Sequence, residues 1–509
     1  MSTLIDYVIV QAGGRGSRLR HHTWNKPKCL VSVNGKPILY HLFCSYPHAK
    51  FVIIGDYAFE QLKRYLTVNE PPVQYKLIQA VGKGTAAGIA LAKQEIPPTA
   101  SVLITWSDLV IDKVPEWPEA ENIVIGTTSA FTCRWSINED NKLQELPSNT
   151  KGVAGLFFIP NISKLPDPPA EGEFVKWFST NISNYLTFEC NGLRELGDLT
   201  TLEETNDQEG FCRFFNRVEI GTNSVKKTVI DQAFLNVHEN EVSWYTEVEK
   251  LGFRRIPKIH STKPLIMERI HGQHAFQIKD LNKREKRAVL ADYLDALTTL
   301  HDKMNVNCTV AEVESVYITK TRNRVDSIAT VIPNFTKESV TINGKKCRNI
   351  FAQKHITTLD LMLPHLTPKS FVPIHGDPTF SNTIIDQNLR VWFIDPRGYF
   401  SKPGIFGDRL YDFAKVYYSS VGCYDLFNRR KFKLHIDTDT VEVLMEESEF
   451  ESTAIEIFKS SFKEELPRIE VIHGLIWLAL SGYAKDDLDS IIGSYYLGLY
   501  WLERGLEKL

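Results

Sequence analysis

At 509 residues the chain is too long for one ordinary core, and its 43% apolar content can fill two domains of roughly 200 and 300 residues. Acidic and basic side chains nearly cancel, 62 against 59, and no long basic run stands out, which argues against a nucleic-acid partner. The 8 cysteines form no C-x-x-C pair, no stretch approaches the ~20 apolar residues of a membrane helix, and the N-terminus lacks the basic start and cleavage site of a signal peptide. The expected setting is therefore reducing and cytoplasmic, without a zinc site, a disulfide framework or a membrane partner. Local Arg and Lys remain available to phosphorylated small molecules.

Tyr7 to Gln11 reads as a buried parallel strand. It runs into Ala12-Gly13-Gly14-Arg15-Gly16-Ser17-Arg18, where glycine lets backbone amides approach phosphate oxygens. Glycine alone is a weak signal, common to many turns. The added cations carry more: Arg15, Arg18 and then Lys26-Pro27-Lys28 offer the charge that a triphosphate and a departing pyrophosphate need. Phe51 to Gly55 is expected as the second parallel strand, with a helix from about Phe59 to Leu66 returning across the sheet. Gln79-Ala80-Val81-Gly82-Lys83-Gly84-Thr85-Ala86 opens another helix, for which Thr85 as a plain cap is the simple reading. Val102 to Thr105 is the third strand. It ends at Ser107-Asp108, where a carboxylate can hold magnesium against phosphate. Asp198, in Gly197-Asp198-Leu199-Thr200-Thr201-Leu202-Glu203, reads equally well as a helix N-cap.

This region resembles the sugar nucleotidyltransferases, whose pattern G-G-x-G-x-R-L, P-K and V-x-G-K-P is met by Gly13, Gly14, Gly16, Arg18, Leu19, Pro27, Lys28, Val33, Gly35, Lys36 and Pro37. The resemblance implies that Arg18 and Lys28 act catalytically on the triphosphate while a sugar phosphate attacks the α-phosphorus. It also implies that Gly13, Gly14, Arg15 and Gly16 hold the nucleotide, with Asp108 and Asp198 as Mg2+ ligands. His21-His22-Thr23 departs from the usual Pro-x-Thr. The segment from Gln79 resembles one in the N-acetylglucosamine-1-phosphate uridylyltransferases, which implies that Gln79, Gly84 and Thr85 read a pyrimidine. A GT-A glycosyltransferase shares the sheet and the metal, but the expected D-x-D is missing at Ser107-Asp108-Leu109.

Glu203 to Gly210 is polar and acidic, and the pattern then turns to strands, which puts the boundary at 207/208. Arg217 to Gly221 and Ser224 to Ile230 are expected to pair as a hairpin. A Lys on its second strand and a Glu on the next helix would form an ion pair that aligns phosphates: Lys227 with Glu241, or their neighbours Lys226 and Glu239. Leu294 to His301 reads as the end of an amphipathic helix, with His301 structural. Lys320, Arg322, Arg324, Lys345 and Lys346 crowd the stretch before Phe371, as a solvated face or as a substrate-contacting insertion. Within Val372 to Gly398, Asp377 and Asn382 stand in D-x-x-x-x-N order, and Asp395 follows the short strand Val391 to Ile394. One base and two metal ligands nearly suffice for phosphoryl transfer. An Asx-rich turn is the plain alternative, and it leaves Asp395 unexplained. Ile469 to Leu509 is helical, with Trp477, Tyr495, Tyr496 and Trp501 as core aromatics.

His375, Gly376, Asp377, Asn382, Ile394 and Asp395 match the H-G-D-x-x-x-x-N and I-D signature of the aminoglycoside phosphotransferase and choline kinase superfamily. This resemblance implies a kinase-like fold acting on a small hydroxyl compound, with Asp377 catalytic and Asn382 and Asp395 on Mg2+. Pro396 and Arg397 replace the residues that commonly follow. Leu265 to Gly272 resembles that superfamily's L-L-M-E-x-x-x-G hinge, whose backbone around Glu268 would meet an adenine edge. Gly407 to Asp412 resembles its G-D-P-x-x-D-L segment, which implies that Asp412 anchors the catalytic loop.

The expected fold class is α/β: an N-terminal doubly wound, Rossmann-like (GT-A-like) nucleotidyltransferase domain over 1–207 and a C-terminal α+β protein-kinase-like domain over 208–509. The expected function is bifunctional. The second domain phosphorylates a sugar with ATP, at the anomeric hydroxyl if the product is to be coupled directly, and the first couples that phosphate to UTP or CTP for surface polysaccharide synthesis. Both need Mg2+. The alternatives are a choline-type alcohol, giving a CDP-alcohol, and a nucleotide-sensing scaffold with one dead site. Partners are nucleotides and a small sugar or amino alcohol, and the oligomeric state, a homo-oligomer included, stays open.

Overall fold

The apolar run YVIVQ forms β1 (Tyr7–Gln11) at the centre of a mixed sheet in the computed structural model, which describes residues 4–207, 216–230 and 232–509. The chain divides into two compact units: residues 1–208 with Asp486–Asp489, and residues 209–485 with 490–509. Among the described residues no helix is long and apolar enough to cross a membrane.

In the first unit, after helix α1 (Ile38–Ser45), β2 (Lys50–Gly55) pairs parallel with β1. Helix α2 (Phe59–Val68) returns the chain to β3 (Tyr75–Gln79), which pairs parallel with β2. After α3 (Thr85–Gln94), β4 (Val102–Trp106) pairs with the other side of β1, again parallel. The inner strands are apolar on both faces because both are covered, as parallel sheets require. Strand β3 was not expected from the sequence. It lies at the sheet edge with Tyr75, Lys76 and Gln79 exposed, so its pattern is only partly apolar.

A short strand β5 (Leu109–Ile111) follows, then β6 (Ile123–Thr128) and β7 (Gly152–Ile159), which run antiparallel to each other; β7 also lies antiparallel to β4. Helix α4 (Phe174–Asn181), β8 (Tyr185–Glu189), β9 (Leu193–Glu195) and α5 (Leu199–Asp207) complete the unit's main elements. The main core joins Ile9, Val52, Ile54 and Ile104 of the sheet to Ile89, Phe174 and Phe178 of α3 and α4. A second cluster of Leu19, Val31, Val33, Ile38, Val110, Leu196 and Leu202 is smaller, and it decides where the charges go. Each of its key members sits within four residues of a candidate: Leu19 beside Arg18, Val31 after Lys28, Val110 after Asp108, Leu196 before Asp198.

The second unit begins with an antiparallel sheet in the order β10 (Asn216–Ile220), β11 (Ser224–Val229), β13 (Leu265–Glu268), β12 (Ile259–Thr262), with helix α6 (Leu235–Lys250) between β11 and β12 in the chain. Helix α7 (Lys283–His301) is opened by Asn282, whose side chain accepts from the amides of Arg284 and Glu285. Helix α8 (Lys320–Asp326), the hairpin β14 (Thr383–Asp386) and β15 (Val391–Phe393), and helices α9 (Arg409–Ser420), α10 (Leu466–Ser481) and α11 (Leu488–Leu506) follow. Trp477, Tyr495 and Tyr496 are fully buried, and Trp501 nearly so, as the helical pattern predicts.

Candidate active sites

In the first unit the loop after β1 is pressed against the loop after β2. A Cβ at Gly13 would stand 2.6 Å from Asp56 Cβ, and Gly16, at φ +62°, leaves room for the Lys28 stem. The Gly14 carbonyl accepts the Lys28 amide at 3.2 Å, which fixes the start of the Lys28 turn on the loop. Lys28 Nζ lies 3.0 Å from Asp108 Oδ2. Arg15 is exposed over the Tyr57 ring, 5.0 Å from its centroid, and Arg18 is 70% exposed with Glu195 at 3.8 Å. Glu195 was missed in the sequence. It arrives because β9 pairs with β5, Glu195 opposite Leu109, and the Leu196 amide donates to the Asp108 carbonyl at 2.9 Å. Burial and then Asp108 raise the Glu195 carboxyl, Lys28 and Arg18 pull it back, and Asp198 raises it again. Three acids and two cations are thus electrostatically one group.

Several expectations change. Lys26 is no phosphate cation: it is buried, 1% exposed, with Asp487 at 2.6 Å and Asp489 at 2.8 Å, both in the C-terminal segment that belongs to this unit. Asp198 caps α5, its Oδ1 accepting the Thr201 amide at 3.0 Å, and that bond above all lowers its carboxyl. Thr85 is not the cap of α3. Gly84 holds that place, and the Thr85 hydroxyl accepts the Phe174 amide at 2.9 Å. Gly84 backs onto Gly172, where a Cβ would meet the Gly172 carbonyl at 2.3 Å, so its glycine has a packing reason. Gln79 ends the exposed strand β3, and the buried Gln11 ties β1 to α3 through the Thr85 carbonyl at 2.8 Å.

In the second unit five separate segments contribute. Lys227 on β11 reaches both oxygens of Glu241 on α6, at 3.0 and 2.8 Å, and Asp395 Oδ1 after β15 at 2.8 Å. Burial alone would lower Lys227, but Asp395 and Glu241 more than reverse it and hold the ammonium well above its ordinary value. The neighbouring pair expected as the alternative does not form: Lys226 faces outward to Glu219 at 3.1 Å, and Glu239 is exposed. Asn382 Nδ2 donates to the Asp377 carbonyl at 2.9 Å and to its Oδ2 at 3.1 Å. Lys415 on α9, unsuspected from the sequence, lies 2.8 Å from Asp377 Oδ1.

The loop carrying Asp377 is pinned almost residue by residue. Trp244 Nε1 donates to the Ile374 carbonyl at 2.7 Å; buried Asp412 accepts the amides of His375 and Gly376, both at 2.8 Å; Tyr293 donates to the Pro378 carbonyl at 3.0 Å; Asp425 accepts the Ser381 amide at 3.0 Å. His301 Nε2 lies 3.0 Å from Asp412, a structural role, and burial keeps His375 low. Asp395 is held at φ +53°, a conformation that costs a non-glycine residue energy and recurs where side-chain placement matters. Three residues on, Gly398 at φ +67° brings the chain against α6, where a Cβ would stand 2.4 Å from the Asn240 carbonyl. The Glu268 amide is already committed to the Lys258 carbonyl at 2.8 Å and that of Arg269 to Asn223 at 3.0 Å, so these two donors are not on offer to an adenine edge.

Among the described residues no three His, Cys, Asp or Glu side chains form a ready metal cluster. Mg2+ does not require one, since it takes one or two protein oxygens and completes its shell from phosphates and water. Asp108 with Glu195 and Asp198, and Asn382 with Asp395, are hard-oxygen sets that fit it. Of the inserted cations, Arg322 pairs with Asp360 and Lys345 with Glu507, while Lys346 is exposed; Lys320 and Arg324 line a cavity.

Residues 7–125 match the model of the nucleotidyl transferase family, so the first unit carries a nucleotidyl transferase domain. Among solved structures, the chain is similar to HddC from Yersinia pseudotuberculosis complexed with GMP-PN, at 17% identity over 40% of this chain and 98% of that one, TM-score 0.34. It is also similar to the inositol-1-phosphate CTP transferase from T. maritima, at 16% over 40% and 93%, TM-score 0.33, and to the CTP:phosphocholine cytidylyltransferase LicC from Streptococcus pneumoniae, at 17% over 40% and 97%, TM-score 0.32.

Proposed function

We propose that the protein is a bifunctional enzyme whose second unit phosphorylates a sugar hydroxyl with ATP and whose first unit couples the phosphomonoester to a pyrimidine nucleoside triphosphate. The products are pyrophosphate and an NDP-sugar of the kind used for surface polysaccharide. The observation that carries the reading is Lys227 held between Glu241 and Asp395 while Asn382 orients Asp377. That is the set that phosphoryl transfer needs, because catalysis there is mostly positioning and charge neutralisation.

In the second unit the acceptor oxygen bonds to the γ-phosphorus as the β–γ bridging bond breaks, ADP leaves, and the hydroxyl proton passes to Asp377. Lys227 steadies the nucleotide phosphates. In the first unit a phosphate oxygen of the phosphomonoester attacks the α-phosphorus and pyrophosphate departs, its charge met by Arg15, Arg18 and Lys28. Asp108 and its acidic neighbours in one site, and Asn382 and Asp395 in the other, would hold Mg2+, which would supply neutralisation of phosphate charge when bound.

Mass spectrometry of products from the full chain, ATP, each NTP and mixed acceptors tests the reading. Asp377→Asn should stop ADP formation yet leave pyrophosphate release from a supplied phosphomonoester, and Asp108→Asn should do the reverse. If either variant, still folded, lost both activities, the division of labour would be wrong.

A further inference from the structure

A cavity of about 340 Å³ opens in the second unit, with Lys320, Arg324, Arg397 and Tyr399 in its wall. The chain reaches it through a π-helical turn, Ser315–Thr319, that runs straight into α8. Such wider turns are rare and frequently lie at functional sites. Lys320 opens α8 and Arg324 follows one turn later, so the two share a face. Arg324 donates to the Ala479 carbonyl at 2.9 Å and lies 5.4 Å from the Tyr483 ring centroid. Arg397 donates to the Tyr411 hydroxyl at 2.7 Å and lies 4.2 Å over Tyr399.

Among the described residues no carboxylate forms an ion pair with Lys320, Arg324 or Arg397. The charges bear on one another instead. Burial, then Arg397, Arg324 and Lys415, hold the Lys320 ammonium well below its ordinary range, with Asp377 pulling it back; burial and then Arg397 lower Arg324 too. Arg397 is the exception: burial would lower it, but Tyr411, Tyr399 and Asp377 hold it up. For the rest, recessed cations without a carboxylate in ion-pair reach are costly, and an anion placed among them offsets that cost. The cluster also adjoins the chemistry. The Arg397 amide donates to the His375 carbonyl at 3.0 Å, a Cβ on Gly376 would stand 2.9 Å from Arg397 Cβ, and Lys415 reaches Asp377 itself at 2.8 Å.

We infer that this cavity receives the phosphoryl acceptor and that the acceptor carries an anionic group, a phosphate or a carboxylate, which Lys320, Arg324 and Arg397 bind while a hydroxyl faces Asp377. The inference rests on the reading of Asp377 as the base of a kinase. An acceptor with a fixed positive charge, such as choline, meets like charge here. Transfer is balanced as before: the acceptor oxygen gains the γ-phosphoryl group, ADP leaves with the bridging electron pair, and Asp377 takes the proton. The anionic group is untouched and stays on the product.

Two measurements on the full chain test this. Equilibrium dialysis with labelled inorganic phosphate, at saturating Mg2+ and a non-hydrolysable ATP analogue, compares wild type with Lys320→Met/Arg324→Met and with Lys320→Arg. The double variant should weaken one phosphate site at least about 10-fold, the usual weight of a charged hydrogen bond, and the arginine variant should keep it. ADP release is then followed with glucose, glucose 6-phosphate, glucuronate, glucosamine, glycerol 3-phosphate and choline. Asp377-dependent turnover of the phosphorylated or carboxylated compounds, with a raised KM and similar kcat in the double variant, supports the inference and tells phosphate from carboxylate. Phosphate binding indifferent to the double variant, or turnover of neutral or cationic acceptors that it leaves unchanged, overturns it while the kinase reading stands. Phosphate binding that needs Lys320 and Arg324, together with ADP release indifferent to Asp377→Asn, defeats the kinase reading and leaves the anion site.

Discussion

Lys28 in the first unit meets a single carboxylate, Asp108 at 3.0 Å, whereas Lys227 in the second is gripped by two, Glu241 and Asp395, each at 2.8 Å. The contrast extends to the surroundings. Arg15 and Arg18 stand exposed on a glycine loop, while the segment around Asp377 is tied down by Trp244, Asp412, Tyr293 and Asp425. The first site presents exposed arginine charge, which in the proposed reading an incoming triphosphate would gather. The second has its geometry fixed beforehand, which in the proposed phosphoryl transfer would lower the reorganisation needed at the moment of reaction. Cations that serve a ligand and cations that serve the fold can therefore be told apart by what substitution does to each.

The largest effect is expected at Lys227. Lys227→Met leaves Glu241 buried without its cation, so it should cost about 3–5 kcal/mol of stability and also cut ADP formation by about 10²–10³-fold, read by urea unfolding and a coupled assay. An active, stable variant would erase the contrast. The two lysines of the first unit sharpen it. Lys26→Met strands Asp487 and Asp489 and should cost about 3–5 kcal/mol, whereas Lys28→Met leaves Asp108, 26% exposed and so still open to water, and should lower pyrophosphate release about 10²–10³-fold with a smaller stability loss than Lys26→Met.

A smaller effect follows from Asp425, whose carboxyl burial pushes up to about 6. The folded state keeps this proton between about pH 4 and 6, where the unfolded chain, near 3.9, has lost it. Its contribution is therefore complete below about pH 4 and is lost as pH rises through 6, on the order of 3 kcal/mol. Asp425→Asn keeps an acceptor for the Ser381 amide, so the stability difference between wild type and variant should decline over that interval. A flat difference would mean that the loop is less tightly built than its hydrogen bonds indicate. The smallest change in stability is Asp198→Ala, about 1 kcal/mol through loss of the α5 cap, measured by thermal unfolding.

The sequence was most legible where one local loop is spelled by consecutive residues, as from His375 to Asn382, whose Asp377 and Asn382 side chains do meet, and least where an arrangement depends on pairing between distant segments. Lys226 and Lys227 could not be separated because neighbours on a strand point to opposite faces, and only α6 decides which face is inside. Glu195 was invisible because nothing local announces that β9 will lie along β5. Lys26 looked like a partner of Lys28, yet its counter-charge at Asp487 is 461 positions away. Strand β3 escaped because at the sheet edge its ends stay exposed, leaving only Leu77 and Ile78 half-buried, so it shows neither alternation nor the apolar run of its neighbours.

Gly398 bears no functional group, yet it works as a spacer of zero thickness. It sets the backbone after Asp395 directly on the Asn240 peptide, one residue before Glu241. Any side chain at 398 would act as a wedge and lengthen the span that Lys227 has to bridge. A library of random substitutions screened for phosphoryl transfer should thus find position 398 almost as intolerant as the acids on either side of the gap.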